Sequence, residues 1–105
     1  MEFSPQVNVT DQSGRTALHF ACRAANIEVA RALMEHEDAE IDCQTNGGVT
    51  PLMLAVESGN PMMVVECLNH TCSPFAVNAL GERAEELAKK FEFVEGENNI
   101  YNLIT

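Results

Sequence analysis

Eight residues recur three times at almost constant spacing. Gly14 to Ala21 (GRTALHFA) aligns with Gly48 to Ala55 (GVTPLMLA) at an offset of 34, and with Gly81 to Ala88 (GERAEELA) at a further 33. A period of that size marks a supersecondary unit too small to bury its own apolar face, so neighbouring units must stack to share one core. The chain of 105 residues is therefore expected to hold one domain built from about three layers.

The middle copy, GVTPLMLAVESGNP, shows how each unit is made. Thr50 reads as an N-cap whose hydroxyl accepts a backbone N–H, and Pro51 suits the first helical position because it has no N–H to leave unpaired. Leu52 to Ser58 continues as a short apolar helix, and Gly59 supplies the left-handed residue that ends it. Asn60-Pro61 repeats the cap-plus-proline pattern, so a second, antiparallel helix follows at once. In the first copy Thr16 caps a helix to about Ala24, with Leu18 and Ala21 on its apolar side. Asn26 caps its partner, with Ile27, Ala30, Leu33 and Met34 at helical spacing. The matching outer helix of the second copy, Met62 to His70, presents Met63, Val64, Cys67 and Leu68. Glycine-bearing turns (Asp11 to Gly14, Asn46 to Gly48, Asn78 to Gly81) precede each pair.

The TALHFA and TPLMLA stretches, read with the period and the helix pairs, resemble the ankyrin repeat and its T-P-L-H-x-A signature. The resemblance covers Val7 to about Ile104. It implies an all-α solenoid with short β-hairpin loops. Residues 1–6 are expected to form an N-terminal tail and 7–105 an ankyrin-repeat domain, with repeats at about 10–43, 44–76 and 77–105. Val7 to Val9 and Ile41 to Cys43 are expected as short extended pieces beside the hairpins. By resemblance, the His19 imidazole hydrogen-bonds within and between repeats; Met53 replaces that histidine in the second copy and removes one polar tie. The acidic loop from His36 to Glu40 departs from the family's usual ending.

The third copy departs most. Arg83 stands where threonine caps, and Glu85 and Glu86 take the leucine and histidine positions. Acidic residues in a first turn, with Lys89 and Lys90 in the last, suit the helix dipole and make a polar terminal face. Phe91, Phe93 and Val94 are expected to cover the preceding repeat. Asn98 or Asn99 is expected to cap a last helix with Ile100, Leu103 and Ile104 inward. At the other end, Val7 to Asp11 look like the close of a preceding unit, so the N-terminal face is expected to be uncapped.

Composition excludes several classes. The net charge is −10, with six Lys and Arg against sixteen Asp and Glu, which disfavours nucleic acid as a partner. No apolar run approaches the ~20 residues of a membrane span, and no stretch reads as a secretory leader. Cys22 and Cys67 fall at apolar helix positions, so the four cysteines are expected to be reduced thiols, in the cytoplasm or alternatively the nucleus. Cys22 with His19 and the acidic pairs Glu37-Asp38 and Glu85-Glu86 read as core and solvated surface. His36, His70, Cys43 and Cys72 lack the two tight pairs that zinc requires, and no phosphate loop is present. No enzyme activity, cofactor or metal is expected.

The resemblance implies a protein–protein interaction module or adaptor, whose partner is bound by the hairpin tips and the exposed side of the inner helices. Those positions are Gln12, Ser13 and Arg15; Asn46, Gly47 and Val49; Ala79, Leu80 and Glu82. On the helices they are Phe20, Arg23 and Ala24, then Leu54, Glu57 and Ser58. Phe20, Arg23 and Leu54 stand out, because aromatics and arginine are enriched among binding hot spots. The alternative is a structural subunit or fragment of a larger assembly, held by its ends, with self-association through the uncapped N-terminal face.

Overall fold

Among the described residues, six short helices form three pairs. The computed structural model describes residues 7–91 and 100–104. Helices α1 (Ala17–Arg23), α3 (Pro51–Ser58) and α5 (Ala84–Lys90) line up as an inner row, and α2 (Ile27–Met34), α4 (Pro61–Asn69) and α6 (Ile100–Ile104) form the outer row. Each helix packs on its pair partner and on the corresponding helix of the next layer. None spans more than nine residues, so none would be stable in isolation.

The core is the space between layers. Leu18, Ala21 and Cys22 of α1, Leu52, Ala55 and Val56 of α3, and Leu87 and Ala88 of α5 are buried in the inner row; Ala30, Met34, Met63, Val64, Cys67 and Ile100 are buried in the outer. Cys22 and Cys67 bring their sulfurs to 3.6 Å across the first and second layers, and all four cysteines are free thiols. Hydrogen bonds with neighbouring thiols, and burial, push the Cys67 and Cys72 thiols well above the ordinary range, which suits small hydrophobes rather than nucleophiles.

The caps form as the sequence implies, with one substitution of parts. Thr16 Oγ1 accepts from the His19 N–H and Thr50 Oγ1 from that of Met53; Asn26 and Asn60 cap the outer helices. In return, the side chain three residues on accepts the N–H of the cap residue. His19 Nδ1 does so at 3.1 Å, Met53 Sδ at 3.5 Å and Glu86 Oε1 at 2.8 Å. Arginine has no acceptor atom, so at Arg83 only this returning half of the box survives.

The loops are stitched by one polar residue per layer. Asp11, Thr45 and Asn78 each use a side-chain oxygen to accept the N–H groups two and four residues on. Their carbonyls accept from Gly14, Gly48 and Gly81, all at positive φ near 80°. Between layers, the Asn46 N–H donates to the Ser13 carbonyl and the Ala79 N–H to that of Gly47. Asn8 and Asp42 repeat a second tie, their side chains accepting from the Glu40 and Ser73 N–H groups of the next layer. The third equivalent is Phe75, which is 70% exposed.

Some expectations need correction. Val7 and Asn8 form a turn of 3₁₀ helix, Ile41 and Asp42 a turn, and no strand occurs among the described residues. Val9 is 61% exposed. Phe91 is 41% exposed. In α6, Ile100 is buried and Ile104 packs against the core, whereas Leu103 is 40% exposed: on a five-residue helix, positions 100 and 104 share the inward side and 103 lies at its edge. The expected roles of residues 1–6, Phe93, Val94, Asn98 and Asn99 lie outside the described residues.

Candidate partner-binding groove

A groove of about 280 Å³ opens where the first two layers meet on the inner-helix side. Its walls come from the first turn and α1 (Ser13, Arg15, His19, Phe20, Arg23) and from the second turn and α3 (Thr45, Asn46, Gly47, Val49, Leu54).

The floor is held by His19, whose side chain is fully buried. The Thr16 N–H donates to Nδ1, so Nδ1 is unprotonated; Nε2 therefore carries the proton and donates to the Val49 carbonyl at 2.9 Å. One imidazole thus closes the α1 cap and ties the first layer to the second, as the resemblance implies. Burial holds its pKa below the ordinary histidine value, which favours this neutral tautomer.

The rim is apolar and basic. Phe20 is 47% exposed, and the Arg15 guanidinium lies 5.0 Å from its ring centroid. Arg15 Nε is also 2.9 Å from Asp11 Oδ2. The Asp11 carboxylate accepts the Arg15 and Ser13 N–H groups, which lowers its pKa. Arg23, at the end of α1, is exposed and makes no ion pair among the described residues. Val49 and Leu54 are half-buried and pack on the core. No carboxylate of the described residues lines the groove.

The expected binding positions therefore separate. Ser13, Arg15, Phe20, Arg23, Asn46, Gly47, Val49 and Leu54 meet in the groove. Gln12 sits beside it, its carbonyl accepting from Asn46 Nδ2. Ala24 and Glu57 are exposed near the inner-helix ends and Ser58 is half-buried, its hydroxyl donating to the Ala55 carbonyl. None of the three lines the groove. Ala79 and Leu80 are exposed at the third tip, one layer away. Glu82 is engaged by Asn78 Nδ2 and Lys90 Nζ, which lower its pKa.

Thr45 is a lining residue that the sequence reading did not single out. Its signal was present: positions 11, 45 and 78 are Asp, Thr and Asn at offsets of 34 and 33, all short side chains able to stitch a turn.

The opposite face carries different chemistry. Arg31 of α2 makes two hydrogen bonds to the Glu66 carboxylate of α4, at 2.9 and 3.1 Å, and His70 lies within 3.7 Å of both Glu35 and Glu66 carboxylates. The Arg31–Glu66 and His70–Glu35 contacts join the outer helices of adjacent layers, and the His70–Glu66 contact lies within α4 and its cap. The His36 Nδ1 accepts the Asp38 N–H. No cluster of three His, Cys, Asp or Glu side chains suited to a metal ion occurs among the described residues. No described helix is long and apolar enough to cross a membrane.

Comparison with known proteins gives a consistent result. Residues 2–78 match the family of ankyrin repeats (3 copies). The chain is 34% identical over 84 residues to neurogenic locus notch homolog protein 1 of Danio rerio, a match covering 80% of this chain and 3% of that protein. It is 31% identical over 62 residues to ankyrin repeat domain-containing protein 53 of Mus musculus, covering 59% of this chain and 12% of the relative. With E3 ubiquitin-protein ligase KEG of Arabidopsis thaliana it shares 37% identity over 51 residues, 49% of this chain and 3% of the ligase. The chain therefore spans only a small part of the length of these relatives.

Proposed function

The chain belongs to the ankyrin-repeat family, and on that premise we propose that it is a non-enzymatic adaptor that holds a partner protein in the groove between its first two layers. Ankyrin repeats are generally protein–protein interaction modules. The observation that carries the finer reading is the exposed Phe20, flanked by Arg15 and facing Val49 and Leu54 in one groove. A large, partly exposed aromatic beside arginines in a concave site has the make-up of a binding hot spot.

Two observations support the non-enzymatic reading. His19 uses both ring nitrogens for structure, and Cys22 is buried against Cys67, so neither is offered to a substrate. The four free thiols suit a reducing compartment such as the cytoplasm or nucleus.

Capture from native extract tests the proposal. Phe20→Ala combined with Arg23→Ala is expected to abolish retention of specific partners, while Glu28→Lys on the outer helix α2 leaves it intact. Equal retention by all three proteins, with helicity preserved, would remove the groove from consideration.

A further inference from the structure

Resting on that reading of the groove, we infer that its occupant is a peptide segment with one bulky aliphatic side chain next to a single carboxylate. The aliphatic group meets Phe20, Val49 and Leu54, which form the apolar part of the wall. The carboxylate meets Arg23, which has no ion pair among the described residues and whose planar fork matches a carboxylate with two hydrogen bonds.

Three further observations select this chemistry. First, no carboxylate of the described residues lines the groove, and of its two arginines Arg15 is paired with Asp11 whereas Arg23 is not, so Arg23 is the cation offered to an acidic group within the surrounding field of a chain of net charge −10. Second, that surrounding field repels a run of acidic residues at long range, which favours one carboxylate in an otherwise neutral or basic segment. Third, Phe20 and Arg23 lie three residues apart on α1 and so share one face, and a volume of about 280 Å³ receives a few side chains, which sets the aliphatic group and the carboxylate side by side.

Selection of random dodecapeptides displayed on phage, against the immobilised full chain, tests the inference. The expected winners place aspartate or glutamate within two residues of leucine, isoleucine or methionine. A representative winner should lose about tenfold or more in affinity on Arg23→Glu, the ratio expected when a hydrogen bond to a charged group is lost. Selection repeated on Arg23→Glu should keep the aliphatic residue and exchange the acidic one for lysine or arginine. Arg23→Gln serves if the charge reversal lowers helicity, with loss of the acidic preference as its signature. Winners without an acidic residue, or an acidic preference unchanged by the Arg23 variants, would overturn the inference and leave the groove as a binding site of other specificity. Absence of any enrichment would overturn both.

Discussion

A proton added to Nδ1 of His19 would set a second N–H against that of Thr16, which now donates to it, and would place a cation where the side chain is fully buried. Burial accordingly lowers the folded-state pKa from the ordinary 6.5. The unfolded chain then binds the proton first, so stability is intact above about pH 6.5 and falls as pH drops toward the lowered value. Urea midpoints measured from pH 7.5 to 5 should show this slope in the parent protein and lose it in His19→Gln. That variant should also cost about 1–3 kcal/mol from the broken cap and interlayer bond. The carboxylates of Asp11, Glu66 and Glu82, whose pKa values are lowered, add their own losses only in the more acidic range below about pH 4.5. Met53 occupies the same site one layer on and returns only a 3.5 Å thioether contact. Met53→His should restore a donor toward the Glu82 carbonyl, the counterpart of Val49, and stabilise by about 0.5–1.5 kcal/mol; a lower urea midpoint would contradict the equivalence of the layers. His19 was legible because its role follows from the repeat signature. The matching service of Glu86 was not, because a carboxylate in a first helical turn already has a sufficient explanation in the helix dipole. Ala25 was also missed: it takes the left-handed conformation at φ 56°, one period before Gly59 at φ 74°, and alanine gives no sign of this in sequence.

The turns and helices were readable to within a residue or two, because cap, proline and glycine are local signals. The flanking segments were not, since nothing local distinguishes an extended piece from a turn whose partners lie in the next layer. Asn8 shows this: its amide donates to the Asp38 carbonyl and accepts from the Glu40 N–H, contacts some thirty residues distant. Gly48 and Gly81 separate the local from the interlayer contribution of a turn. Both have φ +78, so alanine at either meets the left-handed penalty of about 1–2 kcal/mol. A Cβ on Gly48 would also sit 2.9 Å from the Asn78 Cα of the third layer, whereas one on Gly81 meets nothing within 4 Å. Gly48→Ala should therefore be clearly more destabilising than Gly81→Ala by thermal or urea denaturation. Equal losses would mean that the tight joint between the second and third turns carries no stability. Thr50→Ala, which removes the buried cap of α3, should cost about 1 kcal/mol.

No layer of the whole molecule encloses its own apolar surface. The buried residues form a single cluster that runs from Leu18 to Ile100. A change in one layer should therefore be felt by its neighbours, and unfolding should be shared rather than layer by layer. A partner that binds only the folded stack should raise the melting midpoint in proportion to the logarithm of its concentration. A midpoint unmoved by saturating partner would contradict that coupling. The division of faces is also a property of the whole: an interlayer ion pair between Arg31 and Glu66 on the outer helices, and an apolar groove with Arg15 and Arg23, lined by no carboxylate of the described residues, on the inner. The period made the inner strip foreseeable, but it could not distinguish Glu82, consumed by Asn78 and Lys90, from Arg23, which makes no ion pair among the described residues. Site-specific photocrosslinking asks most directly whether the groove receives the partner. A photoreactive amino acid placed in turn at positions 20, 54 and 28 should yield partner adducts from the first two, in the groove, and none from the third, on α2. Adducts from position 28 alone would put the partner on the outer face and contradict the account.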